Sequence, residues 1–234
     1  MVVPRFASTV VLTRPVDNDF EVLLTRRPEG MRFLGGFYVF PGGTVHESDY
    51  SPATLQRCHG LSGEAARSIL NHRDDDEALG HWVAVVRELF EEVGVLLCVD
   101  ENGRAPEVDD PAFKQRMERG RRAIVRGELD LAAFLASENL FCDLARAIYF
   151  DHWVTPGIYS MRFDTRFYIA ALPAKQTPLA RSEEVTRALW VRPGEALLHI
   201  DRSDFPILPP TTTVLQRLAK LSSWNRLRAE FKLP

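Results

Sequence analysis

The sequence predicts an α/β (α+β) fold with added helices, and three observations carry that expectation. β-rich runs stand near both ends, at Thr9 to Thr13, Phe20 to Arg26, Arg166 to Leu172 and Ala188 to Val191. Between them lies one long amphipathic helix pattern with Trp82, Val85, Val86, Leu89 and Val93 on a shared face. No Gly/Ser linker, low-complexity tract or repeat divides the 234 residues, so one domain over 1–234 is expected.

In chain order, the first two runs flank a turn segment from Pro15 to Asp19 and form an antiparallel pair. The short run Phe37 to Phe40 then halts at Pro41-Gly42-Gly43, a turn whose glycines permit backbone conformations or approaches that a Cβ would obstruct. Residues 51–73 show short helical patterns such as Ser62 capping Gly63 to Leu70, without an evident strand, so about 50–80 is read as a helical insertion. Asp74 to Glu77 supplies a cap and dipole-matched charge for the long helix, and Gly94 suits its C-terminal stop. Further helices are expected over about 106–146, from Asp110-Pro111 to about Arg126 and from Asp130 through Ala136. Strand character returns at Trp153-Val154, and a final helix starts just after Pro209-Pro210. Trp153 and Trp190 sit among strand-like apolar residues and are read as core aromatics.

Composition excludes several classes of function. With 45% hydrophobic and 26% charged residues, global disorder, collagen-like repeats and a long coiled coil are ruled out. Lys plus Arg total 29 against 32 Asp plus Glu, so no broad positive field attracts nucleic acid or an anionic membrane, and a small-molecule partner is expected. Ala7 to Leu12 is too short for a signal-peptide core, and no run approaches a membrane span. Cys58, Cys98 and Cys142 form an odd set without Cys-x-x-Cys, which indicates neither a disulfide framework nor structural zinc. The last residues, Phe231 to Pro234, form no peroxisomal address, and a cytoplasmic location is the expectation.

Chemistry concentrates in Arg87-Glu88-Leu89-Phe90-Glu91-Glu92-Val93-Gly94-Val95, where Glu88, Glu91 and Glu92 share one helix face. At separations of roughly 6 Å and an effective dielectric of 20, each such pair repels by about 3 kcal/mol. The face therefore calls for water or cations, and hard oxygen ligands favour Mg²⁺ or Mn²⁺, which typically bridge to phosphate. A solvated face with Arg87 paired to Glu91 is the plainer alternative. Serine-hydrolase, zinc-protease and P-loop strings are absent.

This string, with the Pro41-Gly42-Gly43 segment, resembles the Nudix box, Gly-x5-Glu-x7-Arg-Glu-U-x-Glu-Glu-x-Gly-U, with U a large aliphatic residue. Its second half matches at every defined position. Chance agreement at five fixed positions is on the order of one in a million per start point. In the first half, Asp49 stands where the family has Glu, and 37 residues separate it from Arg87 instead of seven. The resemblance implies a structural pair of Asp49 with Arg87, Glu47 being the alternative, and a Nudix α/β/α sandwich with a mixed sheet. The 50–80 insertion and the helices of 106–146 would then cover the site or pair two copies into a homodimer.

Leu23 to Pro28, Arg32, Gly36 and Phe40 to Gly43 resemble the motif upstream of the box in coenzyme A diphosphatases, with Pro28 the one departure. The split box, Trp153 to Pro156, Arg162 to Phe167 and Leu208 to Thr211 resemble the mammalian peroxisomal branch of those enzymes. The resemblance implies hydrolysis of a nucleoside diphosphate linked to a second group, coenzyme A or acyl-CoA being cut to 3',5'-ADP and (acyl-)phosphopantetheine. Mg²⁺ or Mn²⁺ would be held by Glu88, Glu91, Glu92 and the Gly43 carbonyl. Glu88, Glu91, Glu92 and Glu184 are the implied catalytic acids, with Glu183 or Glu184 an additional ligand or base. Arg27, Arg32, Gly42 and Gly43 would bind substrate, the two arginines through fork-shaped contacts to phosphate. His46, beside the glycines, is read as a surface turn residue, and Asp164 as bonding backbone in a turn. ADP-ribose, NADH or nucleotide sugars are alternative substrates, and a silent nucleotide-binding module is the alternative outside catalysis.

Overall fold

The computed structural model of the chain describes residues 2–31, 34–199 and 205–233. Its strands are β1 Arg5–Val16, β2 Asp19–Arg26, β3 Tyr38–Val39, β4 Gly42–Thr44, β5 Cys58–His59, β6 Cys98–Val99, β7 Phe141–Asp143, β8 Ile148–Val154, β9 Phe163–Ala171 and β10 Arg187–Val191. Its helices are α1 Pro52–Leu55, α2 Gly63–Leu70, α3 Asp75–Val93, α4 Pro111–Val125, α5 Leu131–Ser137, α6 Pro193–Leu197, α7 Pro209–Ala219 and α8 Trp224–Phe231.

The main sheet runs β10-β2-β1-β9-β8, with β3 added to β2 and β4 to β1. The β1 and β9 strands are parallel and the other pairs antiparallel, which makes the sheet mixed. Alternation fixes its two faces. Val10, Leu12, Leu23, Tyr168 and Ala170 pack toward α3 and its neighbours. Val11, Val22, Leu24, Phe167 and Ile169 pack with Val214, Leu215 and Leu218 of α7 and Leu227 and Phe231 of α8. Both faces are buried, so the strands read as nearly continuous apolar runs. The layers form an α/β/α sandwich.

The α3 helix is bounded as its sequence dictates. Asp74 accepts from the N–H groups of Asp76 and Glu77, both at 2.9 Å, and Gly94 ends the helix in the left-handed conformation at φ 69°. The residues from about 75 to 80 thus belong to α3, although the insertion was expected to run to about 80.

Local differences from expectation have physical causes. Pro15 lies inside β1, paired with Phe20, and the hairpin turn is only Asp17-Asn18, with Asp17 at φ 51°. Proline is tolerated there because pairing with β9 ends at Thr13, so no strand requires its missing N–H. Gly42 and Gly43 lie in strand β4 beside Ser8 and Thr9 instead of in a turn. The insertion contains a strand, Cys58–His59, and a second sheet of order β5-β7-β6 sets Cys142 beside both Cys58 and Cys98 as free thiols. Strands of two or three residues carry no readable periodicity. The chain ends in two helices, because α7 stops before Ser223 caps α8. Trp153 and Trp190 are half-buried, packed against opposite cores, and Arg14 lies over the Trp190 ring at 4.4 Å. Among the described residues no helix is long and apolar enough to cross a membrane.

Leu89 is fully buried against the sheet on the α3 face opposite the carboxylates. Leu89→Ala should lower the unfolding free energy by about 2–5 kcal/mol. Urea denaturation checks this, and a loss below about 1 kcal/mol would contradict the packing described.

Candidate active site

The site is assembled around Arg87, nearly buried on α3. Its Nε donates to Asp49 Oδ1 at 2.8 Å and its Nη2 to Asp49 Oδ2 at 3.0 Å, a two-pronged pair. Nη2 also donates to the Thr44 carbonyl at 2.8 Å. Nη1 donates to Glu88 Oε1 at 2.8 Å and to Glu91 Oε2 at 3.3 Å. Asp49 is itself buried and accepts the His46 N–H at 2.9 Å, whereas Glu47 is exposed. His46 is exposed, and its ring bonds Thr44 Oγ1 at 3.0 Å.

Strand β4 passes directly under the acids. A Cβ on Gly43 would collide with the Glu88 carboxylate, and one on Gly42 would collide with Ser8 O and stand 2.7 Å from Thr9 Cα. The glycines therefore let bare backbone lie between β1 and the helix.

The structure brings Glu88, Glu92 and Glu184 together, each offering a carboxylate oxygen within 4.8 Å of the others. Glu88 and Glu92 are buried, and Glu184 is exposed on the loop before β10. Glu91 falls outside this trio and turns to Arg87. Glu183 also lies outside it, its Oε2 accepting from Arg121 Nη1 at 2.9 Å. Arg27, half-buried, has an enclosed Nε without a hydrogen-bond partner among the described residues, and its charge acts on Glu92. Arg32 lies outside the described residues. Asp164, read as a backbone-bonding turn residue, instead accepts from Arg166 and pairs with the His152 ring at 2.7 Å.

Burial is the main cause of the acids' unusual protonation. It raises Glu88 and lifts Glu92 well above the carboxylate range, with Glu88 adding repulsion to Glu92 and Arg27 opposing. Burial likewise pushes Glu91 up to about 7, against the attraction of Arg87.

A divalent cation fits this arrangement. Glu92 Oε2 is buried with no hydrogen-bond partner among the described residues, and Gly43, lacking a Cβ, lets the Glu88 carboxylate lie directly against bare strand backbone. All three side-chain donors are hard carboxylate oxygens, which suit magnesium or manganese better than softer metals.

Sequence reasoning missed Arg121, a buried residue of α4 that reaches both α3 and the Glu183 loop. Nothing in a basic helical stretch singles it out, since its partner Glu183 is 62 positions away.

The mixed sheet between helices, with a glutamate-bearing helix set against a glycine strand, defines the Nudix hydrolase class. The model of the NUDT19 Nudix domain matches residues 4–218, and the chain belongs to that family. A NUDIX hydrolase structure from Alicyclobacillus acidocaldarius is 30% identical, with TM-score 0.76 over 98% of this chain and 97% of that one. Proteins named acyl-coenzyme A diphosphatase NUDT19 from Xenopus laevis and Gallus gallus are 28% and 29% identical over 90% and 89% of this chain. The human protein of that name is 26% identical over 91% of this chain. This chain spans 62–64% of the length of those three relatives.

Because the folded state raises the Glu91 pKa to about 7, its neutral form favours folding, and that contribution is lost as pH rises from about 4.5 through 7. In metal-free buffer, Glu91→Gln should gain stability over the parent chain with rising pH across that window, by roughly 3 kcal/mol at pH 8 relative to pH 4.5. Urea titrations at both pH values check the sign. A difference that shrinks with pH would refute the assignment.

Proposed function

We propose that this chain is a metal-dependent hydrolase that cleaves the diphosphate of a nucleoside diphosphate linked to a second group. Coenzyme A or acyl-CoA is the proposed substrate, with 3',5'-ADP and (acyl-)phosphopantetheine as products. The observation that carries the reading is the convergence of Glu88, Glu92 and Glu184 on the Gly43 strand in a chain of this family. The names of its curated vertebrate relatives support the choice of coenzyme A over other diphosphates.

In this reading Glu88, Glu92, Glu184 and the Gly43 carbonyl hold Mg²⁺ or Mn²⁺, which when bound supplies neutralising charge and a more acidic water. Arg87 keeps Glu88 from turning away while it retains Asp49. Arg27 and Arg32 bind substrate phosphate, and Gly42 and Gly43 admit it against bare backbone. The water oxygen bonds to one phosphorus, the bridging P–O bond breaks, and the water's proton passes to a carboxylate of the α3 face. In this reading Glu91, next to the trio but outside it, takes that proton.

Incubation with Mg²⁺ or Mn²⁺ and a panel of coenzyme A, acetyl-CoA, ADP-ribose, NADH and a nucleotide sugar tests this, with products identified by mass. The expected result is 3',5'-ADP from the coenzyme A compounds, falling by about 100-fold or more in Glu92→Gln, since even indirect partners of a metal typically account for 10–100-fold. Faster cleavage of ADP-ribose, NADH or the sugar would replace the substrate. Binding of coenzyme A with no cleavage of any diphosphate would favour the nucleotide-binding module.

A further inference from the structure

Helix α4 lies outside the carboxylate motif, yet it sends a buried cation to the helix that bears the motif and to the loop before β10. Arg121 Nη1 donates to the Glu91 carbonyl on α3 at 2.9 Å and to Glu183 Oε2 at 2.9 Å. Its Nε and Nη2 donate to the two Glu118 oxygens at 2.9 and 3.1 Å, which fixes the fork on its own helix. Glu183 immediately precedes Glu184 and has a side chain 48% exposed, and Arg121 holds its carboxyl below the usual range.

The loop carrying these two acids is also held by Val185, buried beside Glu184, and by backbone bonds toward its ends. Leu179 N–H donates to the Val93 carbonyl at 2.8 Å, and Thr186 N–H donates to the Arg26 carbonyl at 2.9 Å. Between them, Ser182 N–H donates to the Val185 carbonyl at 2.9 Å, a bond internal to the loop. Glu184 is exposed and stands beside two buried acids, so repulsion drives it outward whenever the carboxylates are charged. The Arg121–Glu183 bond is the polar side-chain tie, among the described residues, that opposes this one residue away, and it is anchored to the helix bearing Glu88 and Glu92, while Val185 is buried on the other side of Glu184. A planar fork serves three partners at once, which a lysine ammonium on a flexible stem does not reproduce.

We propose that Arg121 is a positioning residue for the cation site: by tying Glu183 to the end of α3 it places Glu184 against Glu88 and Glu92. Helix α4 thereby sets the affinity of the site for divalent cations. The inference rests on the reading of Glu184 as a cation ligand given above.

The test is Mn²⁺ binding to the full chain, followed by electron paramagnetic resonance, with thermal midpoints recorded alongside. The variants are Glu184→Gln, Glu183→Ala, Arg121→Lys and the double variant Glu183→Ala/Glu184→Gln. Each single variant should weaken Mn²⁺ binding by about tenfold. The double variant should bind no more weakly than Glu184→Gln alone, because the tether acts only through Glu184. Glu183→Ala, a change at a half-exposed side chain, should keep the parental thermal midpoint and carries the test should Arg121→Lys fold poorly. Parental affinity in Glu183→Ala with weakened binding in Glu184→Gln would overturn the tether and leave the carboxylate site standing. Multiplying losses in the double variant would overturn it too. Parental affinity in Glu184→Gln would remove Glu184 as a ligand, and the inference with it.

Discussion

A guanidinium buried among carboxylates is the joint of this molecule. Arg87 gathers Asp49 from the start of the insertion, the Thr44 carbonyl from strand β4, and Glu88 and Glu91 from its own helix. Removing one partner of such a buried pair typically costs 3–5 kcal/mol, because the remaining charge is left desolvated and uncompensated. The geometry explains how the chain tolerates its insertion. Asp49 and Arg87 are 38 positions apart in sequence, yet their two hydrogen bonds pin the strand side to the helix side whatever folds between them.

That joint leaves the negative charge incompletely matched. One guanidinium serves Asp49, Glu88 and Glu91, while Glu92 keeps a buried oxygen without a partner among the described residues and Glu184 approaches from solvent. Burial raises the proton affinity of Glu88, Glu91 and Glu92, so protons and cations compete for the same face. A local breach of polar satisfaction is characteristic of functional sites, where the rest of the fold compensates. Here the two apolar cores on either side of the sheet supply that compensation.

Much of this was legible in the sequence because its signals are local. The Asp74 cap, the apolar stripe and Gly94 define α3 within one window, and the helical period places Glu88 and Glu92 on one face. What stayed hidden depends on distance. The periodicity that groups Glu91 with its neighbours says nothing of Arg87's direction, and the pair Glu183-Glu184 offers no sign of which acid turns to Arg121 and which to the trio. The small sheet escaped notice because its strands are two or three residues long, too short for alternation to show. The turn reading of Pro41-Gly42-Gly43 put the glycines in the wrong element, since they lie in strand β4, but the close approach it allowed for them is what they serve, to β1 and to Glu88.

Crystals of the chain grown with Mn²⁺, and measured for anomalous scattering at the manganese edge, interrogate the acid trio itself. The expected result is a peak within about 2.0–2.3 Å of oxygens from Glu88 and Glu92, with Glu184 or the Gly43 carbonyl completing the shell. A peak seated elsewhere, or none at saturating Mn²⁺, would contradict the proposal that these carboxylates form a cation site.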